Sequence, residues 1–166
     1  MWPKVREQLP DAELHIFYGW KTFYETHKKE PAMLAWMNEM KRKMEQPGIV
    51  NHGRVGQAEL ARHMADSTLW LYPTMFPEIH CITALEMQAA GVYPITTGYA
   101  ALAETQQSGI KIDGDPKSES WRERFLNEIT LACENPDILK KELEIGRAWA
   151  KENDWDKITD VWLQMV

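Results

Sequence analysis

Two glutamates, Glu78 and Glu86, stand in a segment where a loop is expected to lead into a helix. The start of an α-helix exposes backbone N–H groups and a partial positive charge, so it can hold a diphosphate without a glycine-rich loop. Glu86 lies about five residues inside the expected helix, which at a rise of about 1.5 Å per residue is about 7–8 Å from its start. That distance matches the reach from a diphosphate to a ribose, whose diol would satisfy a carboxylate among apolar neighbours.

The residues at the start of this helix offer further polar chemistry. Glu78 precedes the helix, where a group beyond the diphosphate would lie, and its carboxylate could accept from sugar hydroxyls. His80 would face a phosphate and could donate a proton to a leaving group. The structural alternatives stay open: Glu78 would be a helix-start charge, Glu86 a surface carboxylate, His80 a packing residue and Cys81 a small buried apolar group.

Strand-like segments alternate with helical ones along the chain. Strands are expected over residues 13–18, 49–52, 68–72, 93–97 and 109–112. Helices are expected over 3–8, 31–46, 57–65, 79 or 80 to 90, 118–133 and 137–151, with a terminal helix from about 156. The alternation predicts a Rossmann-like α/β fold, in which a parallel sheet has helices on both faces. Ligands of such sheets bind beyond the carboxyl ends of the strands, and the segment with the two glutamates follows one of these ends.

The composition restricts the classes of function. The 166 residues, 44% of them hydrophobic, predict a single domain over residues 1–166. A net charge of -6 and a pI near 5.4 argue against a nucleic-acid partner, because phosphate-backbone binding needs clustered lysine and arginine. Cys81 and Cys133 lack the spacing of zinc ligands and suit a reducing cytoplasm. No apolar run approaches the roughly 20 residues that span a bilayer.

An ordered set of motifs resembles a known enzyme family. Glu78 and Glu86 form an E-x7-E pair that is followed by Ala90-Gly91 and Pro94-Ile95. Three further segments accompany the pair in order: His52-Gly53-Arg54-Val55, Leu60 to Thr74, and Gly98 to Thr105. Together they resemble the signature of retaining GT-B glycosyltransferases of the family-4 kind, and the similarity extends from about Trp2 to the last helix.

The resemblance implies the carboxyl-terminal, donor-binding half of a GT-B enzyme. It implies that Glu78 is the catalytic carboxylate at the donor sugar and that Glu86 binds the nucleotide ribose. Donor binding is also expected at Ile79, His80, Cys81 and Ile82. Arg54 follows a strand and, with Gly53 and Val55, could contact the base or a phosphate; the alternative is an ordinary surface arginine. The implied donor is a UDP- or GDP-sugar, and the implied reaction is hexosyl transfer with retention, without cofactor or metal. Many family members have Gly-Phe-Gly where this chain has Ile79-His80-Cys81.

The sequence also departs from the family pattern at its start. The family's first strand, the arginine and lysine loop after it, and the acceptor-binding domain would all precede Met1. The sequence is therefore expected to be inactive alone and to need that N-terminal domain or a second chain. The terminal helix has a stripe of apolar residues that would drive association with a partner or a second copy: Ile158, Val161, Trp162 and Met165.

An alternative from another class stays open. The chain would then be a non-catalytic module that binds a nucleotide or sugar phosphate, or a regulatory interaction domain. A dinucleotide-dependent oxidoreductase is disfavoured, because no G-x-G-x-x-G stands between a strand and a helix. The donor sugar, its base and the acceptor are left open by these motifs.

Overall fold

The computed structural model describes residues 1–165, except for the side chain of residue 138. The chain forms two compact units: the N-terminal unit, Trp2–Leu60, and the C-terminal unit, which begins at Ala61. Strand pairing is parallel in both units, as the alternation of elements predicts. The fold is α/β, with small parallel sheets flanked by helices, and it is compatible with a Rossmann-like arrangement.

The N-terminal unit contains a two-stranded parallel sheet and three complete helices. Its elements in order are α1 (Trp2–Gln8), β1 (Leu14–Ile16), α2 (Trp20–His27), α3 (Pro31–Lys43), β2 (Ile49–Asn51) and the first part of α4 (Gln57–Ala65). β1 pairs with β2 from Leu14 opposite Ile49 to Ile16 opposite Asn51. Three aromatic side chains, Trp20, Phe23 and Trp36, pack α2 against α3.

The C-terminal unit is built on a three-stranded parallel sheet in the order β3 (Leu69–Tyr72), β4 (Tyr93–Thr96) and β5 (Ile110–Lys111). Its further elements are α5 (Ile82–Ala90), α6 (Leu102–Thr105), α7 (Glu119–Glu134), α8 (Pro136–Glu152) and α9 (Trp155–Leu163). β3 and β4 pair from Leu69 opposite Tyr93 to Tyr72 opposite Thr96. The loops that follow these two strands therefore start at the same edge of the sheet.

The central strand β4 lies in the core of the C-terminal unit. All four of its residues are buried, and α5, α7 and α8 pack on it. Trp121, Phe125 and Ile129 form the buried face of α7. Local sequence fixes the helix ends: the Ser118 hydroxyl accepts from the Trp121 N–H at the start of α7, and Gly91 ends α5 in the left-handed conformation, with φ of 76°.

Several elements differ from their prediction. α2 and the four-residue α6 were not predicted, the strands are shorter, and the parallel strands form two sheets rather than one. α5 begins at Ile82 rather than at residue 79 or 80, because Cys81 is still non-helical, with φ of -94° and ψ of 89°. Glu86 is therefore four residues past the first helical residue, or about 6 Å along the helix.

None of the helices in residues 1–165 combines the length and the apolar character that crossing a membrane requires.

Candidate functional site

The candidate site lies at the carboxyl edge of the three-stranded sheet, in the loop between β3 and α5. Main-chain and side-chain hydrogen bonds hold this loop in place. The Thr97 hydroxyl donates to the Thr74 carbonyl at 2.8 Å, and the Phe76 N–H donates to the Thr74 hydroxyl at 3.0 Å. The end of β4 thereby anchors the loop that follows β3.

Glu78 is held at both its main chain and its side chain. Its N–H donates to the Phe76 carbonyl at 3.0 Å, and its own carbonyl accepts from the Ala101 N–H at 3.3 Å. The Tyr72 hydroxyl donates a hydrogen bond to Oε1 of Glu78. The contact with Ala101 joins two segments that the family resemblance also singles out, the one around Glu78 and the one from Gly98 to Thr105.

Cys81 lies beneath the start of α5 and is 3% exposed. It packs with Ala84 and Leu102, and Trp70 and Tyr72 lie against this cluster. Burial, and then hydrogen bonding with the Glu78 carboxylate, raises the pKa of the Cys81 thiol to about 12. A thiol with so high a pKa stays protonated at neutral pH, which together with its packing favours the structural interpretation of Cys81.

The other residues at the start of α5 for which donor binding is expected are exposed. Ile79 is 100% exposed and His80 is also exposed, and both precede the helix. Ile82 is the first helical residue and is 51% exposed. Cys81 occupies the N-cap position but its side chain makes no capping hydrogen bond. The first turn of α5 therefore has backbone N–H groups at an accessible helix start, which suits an anion.

Glu86 is exposed on α5, whereas its apolar neighbours had suggested a buried carboxylate. Because water reaches the Glu86 carboxylate and can hydrogen-bond to it, the carboxylate does not require hydrogen bonds from a ligand. The exposure leaves both the ribose contact and the surface-carboxylate interpretation open. Among the described residues, neither Glu78 nor Glu86 forms an ion pair with a lysine or arginine.

Gly53, Arg54 and Val55 belong to the N-terminal unit, directly after β2. Gly53 has a left-handed backbone, with φ of 67°, and its N–H donates to the Asn51 side chain at 3.1 Å. Arg54 is exposed. A turn of this kind follows the carboxyl end of a parallel strand, which is where the prediction placed a base or phosphate contact.

Sequence reasoning missed two residues that shape the site, Tyr72 and Thr97. Tyr72 is the last residue of β3, and Thr97 directly follows β4. Hydroxyl side chains at the carboxyl ends of adjacent parallel strands are a signal that could have indicated them. Both act on the loop between β3 and α5, Tyr72 through Glu78 and Thr97 through Thr74.

No known protein-family model matches the chain, and no curated protein sequence is significantly similar to it.

Proposed function

We propose that the C-terminal unit binds a nucleotide-diphosphate sugar as the donor half of a retaining hexosyltransferase of the GT-B type, with a UDP- or GDP-sugar as substrate. The observation that carries the proposal is the fixed carboxylate of Glu78 at the carboxyl edge of a parallel sheet, in the loop that leads to the start of α5. The family resemblance, which rests on the same two glutamates, supports it.

The proposed arrangement gives each part of the donor a chemical partner. The diphosphate lies at the start of α5, where backbone N–H groups and the helix dipole favour an anion. Glu86, about one turn into α5, accepts from the ribose diol. Glu78 accepts from hydroxyls of the sugar, and as an ionised carboxylate it suits a neutral, hydroxyl-rich sugar better than an anionic one.

In this proposal the catalytic contribution of the unit is placement of charge. The leaving diphosphate is stabilised by the start of α5, and Glu78 orients the sugar. Transfer itself is proposed to need an acceptor-binding domain or a second chain, and no cofactor or metal, so binding is the property to test.

Glu86→Ala is expected to weaken the binding of a nucleoside diphosphate and of the corresponding nucleotide sugar equally. The expected loss of binding free energy is about 1.5 to 3 kcal/mol, the value for hydrogen bonds to a charged group. Glu78→Ala is expected to leave nucleoside diphosphate affinity nearly unchanged and to remove the additional affinity that the sugar contributes. Calorimetry or ligand-detected NMR at low ionic strength measures both, because phosphate contacts are least screened there.

Glu119→Ala is the matched control for this comparison. Glu119 is an exposed glutamate in the first turn of α7, outside the candidate site, and its loss should change neither affinity. If both site variants bind nucleoside diphosphate like the parent chain, Glu86 is an ordinary surface carboxylate and the ribose assignment is wrong.

A partner for α9 is part of the same proposal. Trp155, Trp162 and Leu163 on this helix and Met165 after it are each about 70% exposed or more, a concentration of apolar side chains that water solvates poorly. We expect sedimentation to detect concentration-dependent association of the parent chain and its loss in a Trp155→Ser, Trp162→Ser double variant. Phe76→Ser, which removes an equally exposed aromatic from the loop before α5, should leave association unchanged. A parent chain that stays monomeric at high concentration contradicts this expectation.

A further inference from the structure

The hydrogen bond between Tyr72 and Glu78 joins a strand end to the loop that carries the candidate sugar contact. Tyr72 is the last residue of β3, and its hydroxyl reaches Oε1 of a carboxylate six positions later in the chain. An ionised carboxylate offers about four lone-pair sites. Accepting the Tyr72 hydroxyl therefore leaves the carboxylate able to accept from a ligand as well.

Both partners of this hydrogen bond are anchored independently of it. The Tyr72 ring stacks on Trp70, with centroids 5.1 Å apart, and lies against the buried cluster of Cys81, Ala84 and Leu102. The Glu78 main chain is hydrogen-bonded through its N–H to Phe76 and through its carbonyl to Ala101. A fixed donor and a fixed main chain leave the carboxylate with one preferred orientation.

We propose that Tyr72 is a positioning residue, whose hydroxyl holds the Glu78 carboxylate in the orientation that accepts from the donor sugar. This inference rests on the function proposed above. A glutamate side chain has three rotatable bonds, and the free carboxylate would have to be ordered each time a ligand binds. The tyrosine does this ordering before the ligand arrives.

The surroundings of Tyr72 agree with this role. Burial, and then the hydrogen bond to Glu78, raises the pKa of the Tyr72 hydroxyl to about 12. The hydroxyl is therefore neutral and able to donate over the whole physiological pH range. The influence of Glu78 on the pKa of Tyr72 can also be measured without a ligand, because removing the Glu78 charge should lower that pKa.

The first arm of the test measures the hydrogen bond in the ligand-free chain. NMR of ¹³C-labelled tyrosine rings follows the ionisation of Tyr72, which is assigned by its absence in Tyr72→Phe. Glu78→Gln is expected to lower the pKa of Tyr72 from about 12. An unchanged pKa means that no such hydrogen bond forms in solution, and that result overturns the proposal.

The second arm measures the effect on the sugar. Tyr72→Phe is expected to lower the nucleotide-sugar affinity about fivefold relative to the parent, which corresponds to one ordinary hydrogen bond, and to leave nucleoside diphosphate affinity unchanged. Tyr93→Phe removes a buried hydroxyl from the neighbouring strand β4 and should change neither. If the role of Tyr72 is purely structural, Tyr72→Phe would lower the affinity for both ligands together.

The outcomes separate this inference from the function on which it rests. If the parent binds a nucleotide sugar more tightly than the nucleoside diphosphate, and Tyr72→Phe keeps that difference, the positioning role is wrong and the proposed function stands. If the parent gains no affinity from the sugar, the proposed function fails, and the positioning role for a sugar fails with it, whatever the titration gives.

Discussion

Replacing Gly109 with alanine is expected to destabilise the C-terminal unit by about 3 kcal/mol or more, from backbone strain together with a clash against the central strand. Gly109 precedes β5 with φ of 73°, where an L-residue is strained. A Cβ at this position would lie 2.1 Å from the Pro94 carbonyl oxygen of β4. Because that oxygen belongs to the backbone of a fully buried strand, it cannot move aside cheaply.

Gly91→Ala is the matched control for this variant. Gly91 has nearly the same φ, 76°, in the same unit, but its Cβ would meet the guanidinium end of Arg147, an exposed and flexible side chain. We expect Gly91→Ala to lower the free energy of unfolding only by the strain of a left-handed backbone, about 1 to 2 kcal/mol. Chemical denaturation, with amide exchange of β4 as the local measurement, compares the two. Equal losses of stability would mean that the clash with Pro94 is relieved without cost.

The second large effect is expected for Gln88→Leu, at about 3 kcal/mol, since two backbone donors lose their acceptor at about 1–3 kcal/mol each. Gln88 is 1% exposed on α5. Its Oε1 accepts from the N–H groups of Gln107 and Ser108, at 2.8 and 3.1 Å, and its Nε2 donates to the Thr105 carbonyl at 2.9 Å. Leucine fills a similar volume but can replace none of these hydrogen bonds.

Gln107→Leu makes the same chemical change at the surface. The Gln107 side chain is exposed and donates to the Glu104 carbonyl, where water can take its place. The expected change in the free energy of unfolding is within about 0.5 kcal/mol. If Gln88→Leu lowers the free energy of unfolding no more than Gln107→Leu does, then the N–H groups of Gln107 and Ser108 find another acceptor. That acceptor would be water, or a group reached by a shift of residues 105–109.

The sequence predicts best those helices and strands whose ends are marked by local sequence features such as a capping residue. The limits of α4, Gln57–Ala65, were predicted to the residue, and α7 begins after Ser118, whose hydroxyl caps it. The start of α5 was placed two or three residues early. Cys81 supplies no side-chain cap there, and nothing in the local pattern distinguishes the loop from the first helical turn.

Two helices, α2 and α6, are not predicted from the sequence, for different physical reasons. α2 follows Gly19, which offers no side-chain cap, and its aromatic residues, Trp20, Phe23 and Tyr24, have a preference for strands as well as a helical spacing. α6 has four residues, too few for a period of 3.6 to be recognised. Tertiary packing rather than local preference decides such segments.

The position of Glu78 in the chain's fold was predicted, whereas the contacts that hold it were not. The order of motifs placed Glu78 in the loop before α5, and the structure has it there. The hydrogen bond from Tyr72 could not be predicted, because it depends on the side-chain directions at a strand end and a loop six residues apart. The same holds for Gln88, which stands among apolar residues in the sequence and serves a loop 17 to 20 residues later.

The contacts of α8 set the order in which this chain can complete its fold during synthesis. Glu142 accepts from the Gly109 N–H at 2.9 Å, and Trp149 donates to the Thr105 carbonyl at 3.1 Å. Residues 105–109 leave the ribosome before α8 does. Until residues 136–152 emerge, the Gly109 N–H depends on water, the Thr105 carbonyl lacks its hydrogen bond from Trp149, and the face of α5 that packs on α8 stays uncovered. A nascent chain stalled before α8 should therefore be a target for chaperones, and cooperative folding of the C-terminal unit should begin only once α8 is free.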